Sequence, residues 1–399
     1  MFHFHSLRSS RLSRVTFACV LSALLMGLGV SVVQAQVLSQ VPPPQIQAKS
    51  WLLLDLSSGQ ILSSQDADSK VAPASLTKLM TAYIVFGALK DGRIKLDQRP
   101  TVSPLAYKAE GSRMFVDPAK PASVEELLNG MIVQSGNDAT IILAEAVAGT
   151  ESTFVELMNK EAKKMGLGNS QFRNSSGLPD PQHYSTARDL SVLTHALIRD
   201  FPDRYPLYSR KEYRYNDITQ PNRNRLLFID PSVDGLKTGH TEAAGFCLIA
   251  SAKRDQGGGV SRRLVSVLLG ATSEGARAIE SQKLLNFGFQ NFETVKVFPA
   301  GATAGQYRVW KSGVEQIAGG FEQDVTVTVP KGMAEKVKAE ITRSEPLLAP
   351  IAKSQKIGLL KVRLDDKVLA ERPLVALSAA EQAGWFGRTW DSLRLMIGK

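Results

Sequence analysis

Apolar residues run almost unbroken over residues 15–33, behind a basic start that carries no carboxylate, and the run ends at Val33-Gln34-Ala35 before Gln36. Small residues three and one positions before a cut, after an apolar stretch, are what a signal peptidase reads, so residues 1–35 are expected to be a signal peptide cleaved after Ala35. An uncleaved anchor helix is the competing expectation, because the run is nearly long enough to span a bilayer. Beyond a connector at Val41-Pro42-Pro43-Pro44, residues 50–56 and 60–64 flank Ser57-Ser58-Gly59 and predict a strand hairpin. The apolar period then lengthens. A helix is expected from about Ala74 through Lys78, Leu79, Tyr83 and Phe86, followed by helices over 123–131, 138–148, 153–165 and 187–199. Near Lys237 the pattern shortens again: 245–252 and 264–271 favour strands, with a turn at Asp255-Gln256-Gly257-Gly258-Gly259 between them, and 281–289 reads as helical.

Strands at both ends of this region with helices between them predict one mainly antiparallel sheet assembled from distant segments, with a helical block beside it, an α/β (α+β) arrangement. From Val295 onward short strand-like runs (306–310, 324–329, 339–343, 357–364 and 367–369) predict a separate small all-β domain, in which Gly301-Ala302-Thr303-Ala304-Gly305 reads as a loop. In the last segment Trp385, Phe386, Trp390, Leu393, Met396 and Ile397 fall within an arc of about 140° on a helix, with Arg388, Asp391, Arg394 and Lys399 outside it. This predicts an amphipathic helix that lies on a membrane surface, too short in apolar run to span it; docking on the β domain is the alternative. The expected divisions are therefore 1–35, 36–294, 295–378 and 379–399.

Composition narrows the class. With 399 residues, 43% hydrophobic and 22% charged, the chain is globular and large enough for more than one core. Its formal charge is +10, and removal of Arg8, Arg11 and Arg14 with the leader leaves about +7. That surplus suits anionic envelope polymers or lipid headgroups. Nucleic acid is not the expected partner, because the basic residues are dispersed and no RNP motif, zinc finger or long basic run occurs. Cys19 lies in the leader, which leaves Cys247 as the single mature cysteine. No intrachain disulfide and no cysteine-metal cluster are then possible, and no metal or cofactor is expected.

Three short motifs carry candidate chemistry. In Pro73-Ala74-Ser75-Leu76-Thr77-Lys78, positions i and i+3 share a helix face, so Ser75 can meet Lys78. A serine hydroxyl needs a base, and a lysine whose pKa is lowered by burial or by a second cation can take its proton. In Gln134-Ser135-Gly136-Asn137, on a connection between helices, the hydroxyl could relay a proton and the amide bind a peptide carbonyl. In Asp234-Gly235-Leu236-Lys237-Thr238-Gly239-His240-Thr241, a strand edge offers a cation and a hydroxyl to a terminal carboxylate, while Gly239 leaves the approach clear. Lys311-Ser312-Gly313 has the form of the third motif, but it stands in the β domain and reads as coincidence. Each motif alone is weak. Their order, at intervals of 60 and 102 residues, is the signature of penicillin-binding proteins and class A β-lactamases.

From about Ser50 to its end the chain resembles the low-molecular-weight penicillin-binding proteins that act as D-alanyl-D-alanine carboxypeptidases. The likeness extends to Tyr184-Ser185-Thr186-Ala187-Arg188-Asp189, Pro221-Asn222-Arg223-Asn224 and Leu284-Leu285-Asn286-Phe287-Gly288-Phe289. It implies Ser75 as acyl-ester nucleophile, Lys78 as proton acceptor, Ser135 as relay, Asn137 as a ligand of the substrate amide, and Lys237 with Thr238 and Gly239 as the carboxylate site. It further implies that His240 and Ser75 supply oxyanion-hole N–H groups, that Arg277 adds charge near the carboxylate, and that Asp189 pairs with Arg223. Where some relatives carry His-Gly-Leu, this chain has Ser176-Gly177-Leu178. The implied substrate is a peptidoglycan stem pentapeptide ending in D-Ala-D-Ala, with β-lactams as covalent inhibitors, in a periplasmic enzyme held peripherally on the inner membrane by its last helix. A D,D-endopeptidase or a β-lactamase is the alternative, although residues 165–178 offer a β-lactamase no deacylating glutamate. A non-catalytic wall-binding protein would not need the intact trio.

Overall fold

The computed structural model of the protein describes residues 41–256 and 261–397. The leader with Arg8, Arg11, Arg14, Cys19 and the cut after Ala35, residues 257–260 of the predicted turn, and Lys399 lie outside the described residues.

Strands β1 (Ser50–Asp55) and β2 (Gln60–Gln65) form the predicted hairpin. The helical stretch that follows holds α1 (Lys78–Lys90), α2 (Pro104–Tyr107), α3 (Val124–Asn129), α4 (Asn137–Ala148), α5 (Glu151–Met165) and α6 (Ala187–Asp200). Side chains that accept from the first turn fix several starts: Ser123 and Glu126 close a capping box on α3, Thr150 caps α5 and Thr186 caps α6. A small hairpin, β3 (Glu212–Tyr215) with β4 (Ile218–Pro221), and a single turn, α7 (Leu226–Ile229), lead to β5 (Val233–Thr241), β6 (Gly245–Asp255), β7 (Ser261–Ala271) and α8 (Glu274–Asn291). The five long strands make one antiparallel sheet in the order β2-β1-β7-β6-β5, which leaves β5 at an edge. Alternation along β1 sends Leu52 and Leu54 into the core shared with α1, α4 and α6, and Trp51 and Leu53 into the core beneath α8.

Two expectations about helices change. The stretch predicted to open as an α-helix at Ala74 begins instead as a 3₁₀ turn over Ala74–Thr77, with Ala74 at φ +48°. Helix α8 starts at Glu274, seven residues before the predicted 281, because Ser273 caps Ala276 N in a first turn too polar to show apolar periodicity.

The C-terminal part contains β8 (Phe292–Phe298), β9 (Thr303–Trp310), β10 (Gln316–Gly320), β11 (Val325–Pro330), β12 (Val337–Arg343), β13 (Leu347–Leu348), β14 (Lys356–Leu364), β15 (Lys367–Ala376) and α9 (Trp385–Ile397). A six-stranded sheet, β12-β14-β15-β10-β9-β13, packs with the β8–β11 pair around its own apolar core. The loop expected at 301–305 is shorter than that: β9 already begins at Thr303, and Gly305 pairs with Gly319 where neither side chain intrudes. A buried junction joins the two parts. Asp55 accepts from Arg262 Nε at 2.6 Å, Thr328 Oγ1 at 2.8 Å and Thr294 Oγ1 at 3.2 Å, while Arg262 Nη1 donates to the carbonyls of Phe292 at 2.7 Å and Gly288 at 3.1 Å. Asp55 and Arg262 are both 0% exposed.

Helix α9 presents its apolar residues outward: Trp385, Phe386, Trp390, Leu393, Met396 and Ile397 are all exposed. Its opposite side is held to the β domain, where Lys311 N donates to Asp391 Oδ2 at 2.6 Å. The helix is therefore both docked and amphipathic. Among the described residues no helix is long and apolar enough to cross a membrane.

Candidate active site

The 3₁₀ turn sets Ser75 at the edge of a cavity of about 630 Å³ also lined by Ser135, Asn137, Gly177, Arg223, Thr238, His240 and Arg277. Lys78, in the first turn of α1, is buried beneath it with Nζ 3.0 Å from Ser75 Oγ, 2.7 Å from Asn137 Oδ1 and 2.7 Å from the Ser176 carbonyl. Burial, and then the charge of Arg223, pulls the Lys78 pKa down to about 7, against the opposing pull of Asp138. A neutral lysine has two N–H groups and one lone pair. Asn137 and Ser176 accept the two N–H groups, which leaves the lone pair for the Ser75 hydroxyl.

The serine that replaces the histidine of some relatives acts here through its main chain. Any residue supplies the carbonyl that Lys78 uses, so Ser176 keeps the contact. The surrounding loop is pinned by Asn174 Oδ1, which accepts from the N–H groups of Gly177 at 2.7 Å and Leu178 at 3.0 Å, and by Thr81 Oγ1, which donates to the Ser175 carbonyl at 2.6 Å. Gly177 has φ +86°, and a Cβ there would stand 1.8 Å from the Ala74 carbonyl oxygen. Only glycine lets this loop close on the Ala74–Thr77 turn.

Ser135 caps a π-turn over Gly130–Gln134 at φ +64°, a left-handed conformation that is strained for a side-chain-bearing residue. Its Oγ is buried without a hydrogen-bond partner, although it lines the cavity. Asn137, read as a substrate ligand, already engages both ends of its amide: Oδ1 accepts from Lys78 and one N–H donates to the Glu110 carbonyl at 2.6 Å. One amide N–H remains for a ligand.

On the other wall, β5 brings Lys237, Thr238, Gly239 and His240 along the open sheet edge. Lys237 is buried, and its pKa is lowered well below that of a free lysine by burial first and then by Lys78, Arg223 and Arg277. The role of Gly239 is closer than the clear approach predicted. A Cβ there would lie 3.0 Å from the Pro73 carbonyl oxygen and 3.2 Å from Ser75 N, so this glycine lets the strand lie against the turn that carries Ser75. His240 stacks on Phe246 at 4.0 Å between ring centroids, and Phe246 also faces the Arg277 guanidinium. Arg277 lies against β5, with Nη1 3.5 Å from the Gly239 carbonyl and Nη2 3.3 Å from the Arg223 carbonyl.

Two findings depart from the sequence reading. Asp189 does not pair with Arg223: its carboxylate accepts from Asn169 N at 2.9 Å and Ser170 Oγ at 2.7 Å. As the third residue of α6 it holds the start of the loop after α5, while Arg223 lines the cavity. The second is a residue that motif reading missed. His183 Nδ1 accepts from Arg173 N at 3.4 Å, so its Nε2–H donates to Thr77 Oγ1, 2.9 Å away and next to Lys78. Burial lowers the His183 pKa to about 4 and keeps the ring neutral. The only sequence signal was its place immediately before the run that begins at Tyr184, and nothing local pointed to Thr77.

The Ser75 hydroxyl, the buried Lys78 beneath it, the Ser135 hydroxyl and the strand edge that carries Lys237 and Thr238 converge on one cavity, and a family model described as D-alanyl-D-alanine carboxypeptidase matches residues 36–273. The chain belongs to the D-alanyl-D-alanine carboxypeptidase family. A second model, the C-terminal domain of penicillin-binding protein 5, matches residues 292–382. Among relatives, D-alanyl-D-alanine carboxypeptidase DacC of Escherichia coli is 43% identical over 359 residues, covering 88% of each chain. The crystal structure of penicillin-binding protein 5 from Haemophilus influenzae superposes with a TM-score of 0.80 at 41% identity, covering 86% of this chain and 100% of that one. Penicillin-binding protein D2 of Listeria monocytogenes, in its ampicillin-bound form, matches with a TM-score of 0.56 at 29% identity, over 63% of this chain and 100% of its own. The carboxypeptidase family thus accounts for both the α/β body and the β domain.

Proposed function

We propose that this carboxypeptidase removes the terminal D-alanine of peptidoglycan stem pentapeptides through an acyl-enzyme on Ser75. The observation that carries the reading is the contact of Ser75 Oγ with a buried Lys78 whose two N–H groups are already accepted elsewhere. Neutral Lys78 takes the Ser75 proton as Oγ bonds to the carbonyl carbon of the penultimate D-alanine. The backbone N–H groups of Ser75 and His240 receive the oxyanion. Collapse breaks the C–N bond, and a proton passes from Lys78 through Ser135 to the departing amine. Water then adds to the ester and gives its proton to Lys78; the ester C–O bond breaks, and Ser75 regains its proton. Lys237, Thr238 and Arg277 hold the terminal carboxylate, and the free N–H of Asn137 holds the stem amide. A β-lactam presents the same carbonyl-and-carboxylate pair and would acylate the same serine, a reading supported by the similar penicillin-binding protein D2 having been crystallised in an ampicillin-bound form.

The leader exports the chain to the periplasm, and α9, with its apolar face turned outward, holds it on the inner membrane surface. On this reading the chain divides into a leader at 1–35, a catalytic part at 36–294, a β domain at 295–378 and an anchor at 379–399. Incubation of the mature protein with a pentapeptide is expected to release free D-alanine faster than it cleaves a cross-linked dimer. Dominant dimer cleavage would replace the assignment with an endopeptidase on the same chemistry.

A further inference from the structure

The Lys311-Ser312-Gly313 triplet, which has the form of the Lys237-Thr238-Gly239 motif, is not idle. Among the described residues it clasps the lead-in to α9: the Lys311 carbonyl accepts from Ala383 N at 2.9 Å, Ser312 bridges to Gln382, and Gly313 N donates to the Glu381 carbonyl at 3.1 Å. Lys311 N meanwhile donates to Asp391 in the second turn of the helix. These contacts fix the polar side of α9 against the end of β9, and beside them opens a cavity of about 590 Å³. Its walls carry Arg308, Trp310, Lys311, Arg343, Leu348 and, from α9 itself, Leu395.

The charge of this cavity is one-sided. Glu345 is its one acid, and it is already paired with Arg343. Among the described residues neither Arg308 nor Lys311 has a carboxylate partner for its side chain. Arg308 sits over Trp310 with its guanidinium carbon 3.8 Å from the ring centroid, a cation–π contact that holds the side chain at the cavity wall. An arginine fork beside a lysine suits a phosphate oxygen, and the exposed Leu348 with Leu395 offers apolar contact at the rim.

The depth fits a lipid. Asp391 and Leu395 lie on the docked side of α9, and the centre of the apolar arc is turned roughly 150° from them. If that arc rests on the acyl boundary, the cavity stands about one helix diameter, ~10 Å, above it, at the level of the headgroups. We propose that this cavity receives the phosphate of an anionic phospholipid in the leaflet on which α9 lies. The proposal rests on the anchor reading given above and adds to it a defined headgroup site in the β domain.

The test is co-sedimentation of the full mature protein with vesicles of phosphatidylcholine alone, or of phosphatidylcholine with about one-third phosphatidylglycerol. The double variant Arg308→Gln/Lys311→Gln should lose about tenfold in affinity for the anionic vesicles and nothing on the neutral ones. A control, Lys336→Gln/Lys338→Gln, removes the same charge from the far end of β12 and should change affinity by about twofold or less. Equal losses in the two doubles would reduce the effect to diffuse attraction and overturn the site, as would full binding by the Arg308/Lys311 variant. Wild type that binds neither vesicle would remove the anchor reading and the site together. Inorganic phosphate, compared with chloride at matched ionic strength, should not release the protein; release would make the cavity a free-anion site and overturn the lipid assignment.

Discussion

Replacing Lys78 with methionine is expected to lower the rate of acylation at Ser75 by a thousandfold or more, with little change in stability. Methionine fills most of the buried volume, so the core stays packed, but the one base that contacts Ser75 Oγ among the described residues is gone. General-base contributions of about 10²–10⁴ set the scale, and loss of the relay to the leaving amine adds to it. The wild-type pH profile checks the same group independently. Because burial and Arg223 hold Lys78 near 7, the lysine is protonated and inert as a base below that pH and neutral above it. Acylation should therefore fall about tenfold per pH unit below 7 and level off above it. Stopped-flow acylation by a chromogenic β-lactam across pH 5 to 9 reads both predictions. A methionine variant that acylates at wild-type rate would take the proton-acceptor role away from Lys78.

The second large effect is on stability. Asp55→Asn is expected to destabilise the protein by about 3–5 kcal/mol, because Arg262 would then be a fully buried charge with no counter-charge. The loss should appear at the junction. Thr328 and Thr294 of the β domain both donate to Asp55, and Arg262 holds the carbonyl of Phe292 at the start of β8. The double variant Asp55→Leu/Arg262→Met should recover much of the loss, since paired removal leaves no orphaned charge. Denaturant unfolding of the two variants distinguishes a buried pair from a surface one, for which both changes would cost about 1 kcal/mol or less.

The sequence carried the architecture wherever a period was long enough to see. The unbroken apolar run of β1 and the 3.6-residue rhythm of α5 and α6 are strong, and the structure places those elements within two residues of their predicted bounds. The nucleophile turn was read as an α-helix because Ser75 and Lys78 meet in either geometry; what makes it 3₁₀ is the left-handed Ala74, wedged between Gly177 and Gly239 from two distant segments. The same limit explains the site. Motif spacing brought Ser75, Lys78, Ser135 and the β5 residues together, and Arg277 also joined them. It paired Asp189 with the wrong partner and missed the contact of His183 with Thr77, because both depend on how the loop over 166–186 folds back. That loop has neither a regular period nor a motif. The outward apolar face of α9 was legible from its arc, whereas its docked face rests on one aspartate and a clasp 70 residues earlier in the chain.

One covalent bond, between Ser75 Oγ and an acyl carbon, is central to the proposed reaction. Mature protein incubated with a penicillin and analysed by intact mass and peptide mapping should gain a single acyl group, located on the peptide that contains Ser75, and the Ser75→Ala variant should gain none. An adduct that maps to Ser135, or equal labelling of the alanine variant, would contradict Ser75 as the acylated residue.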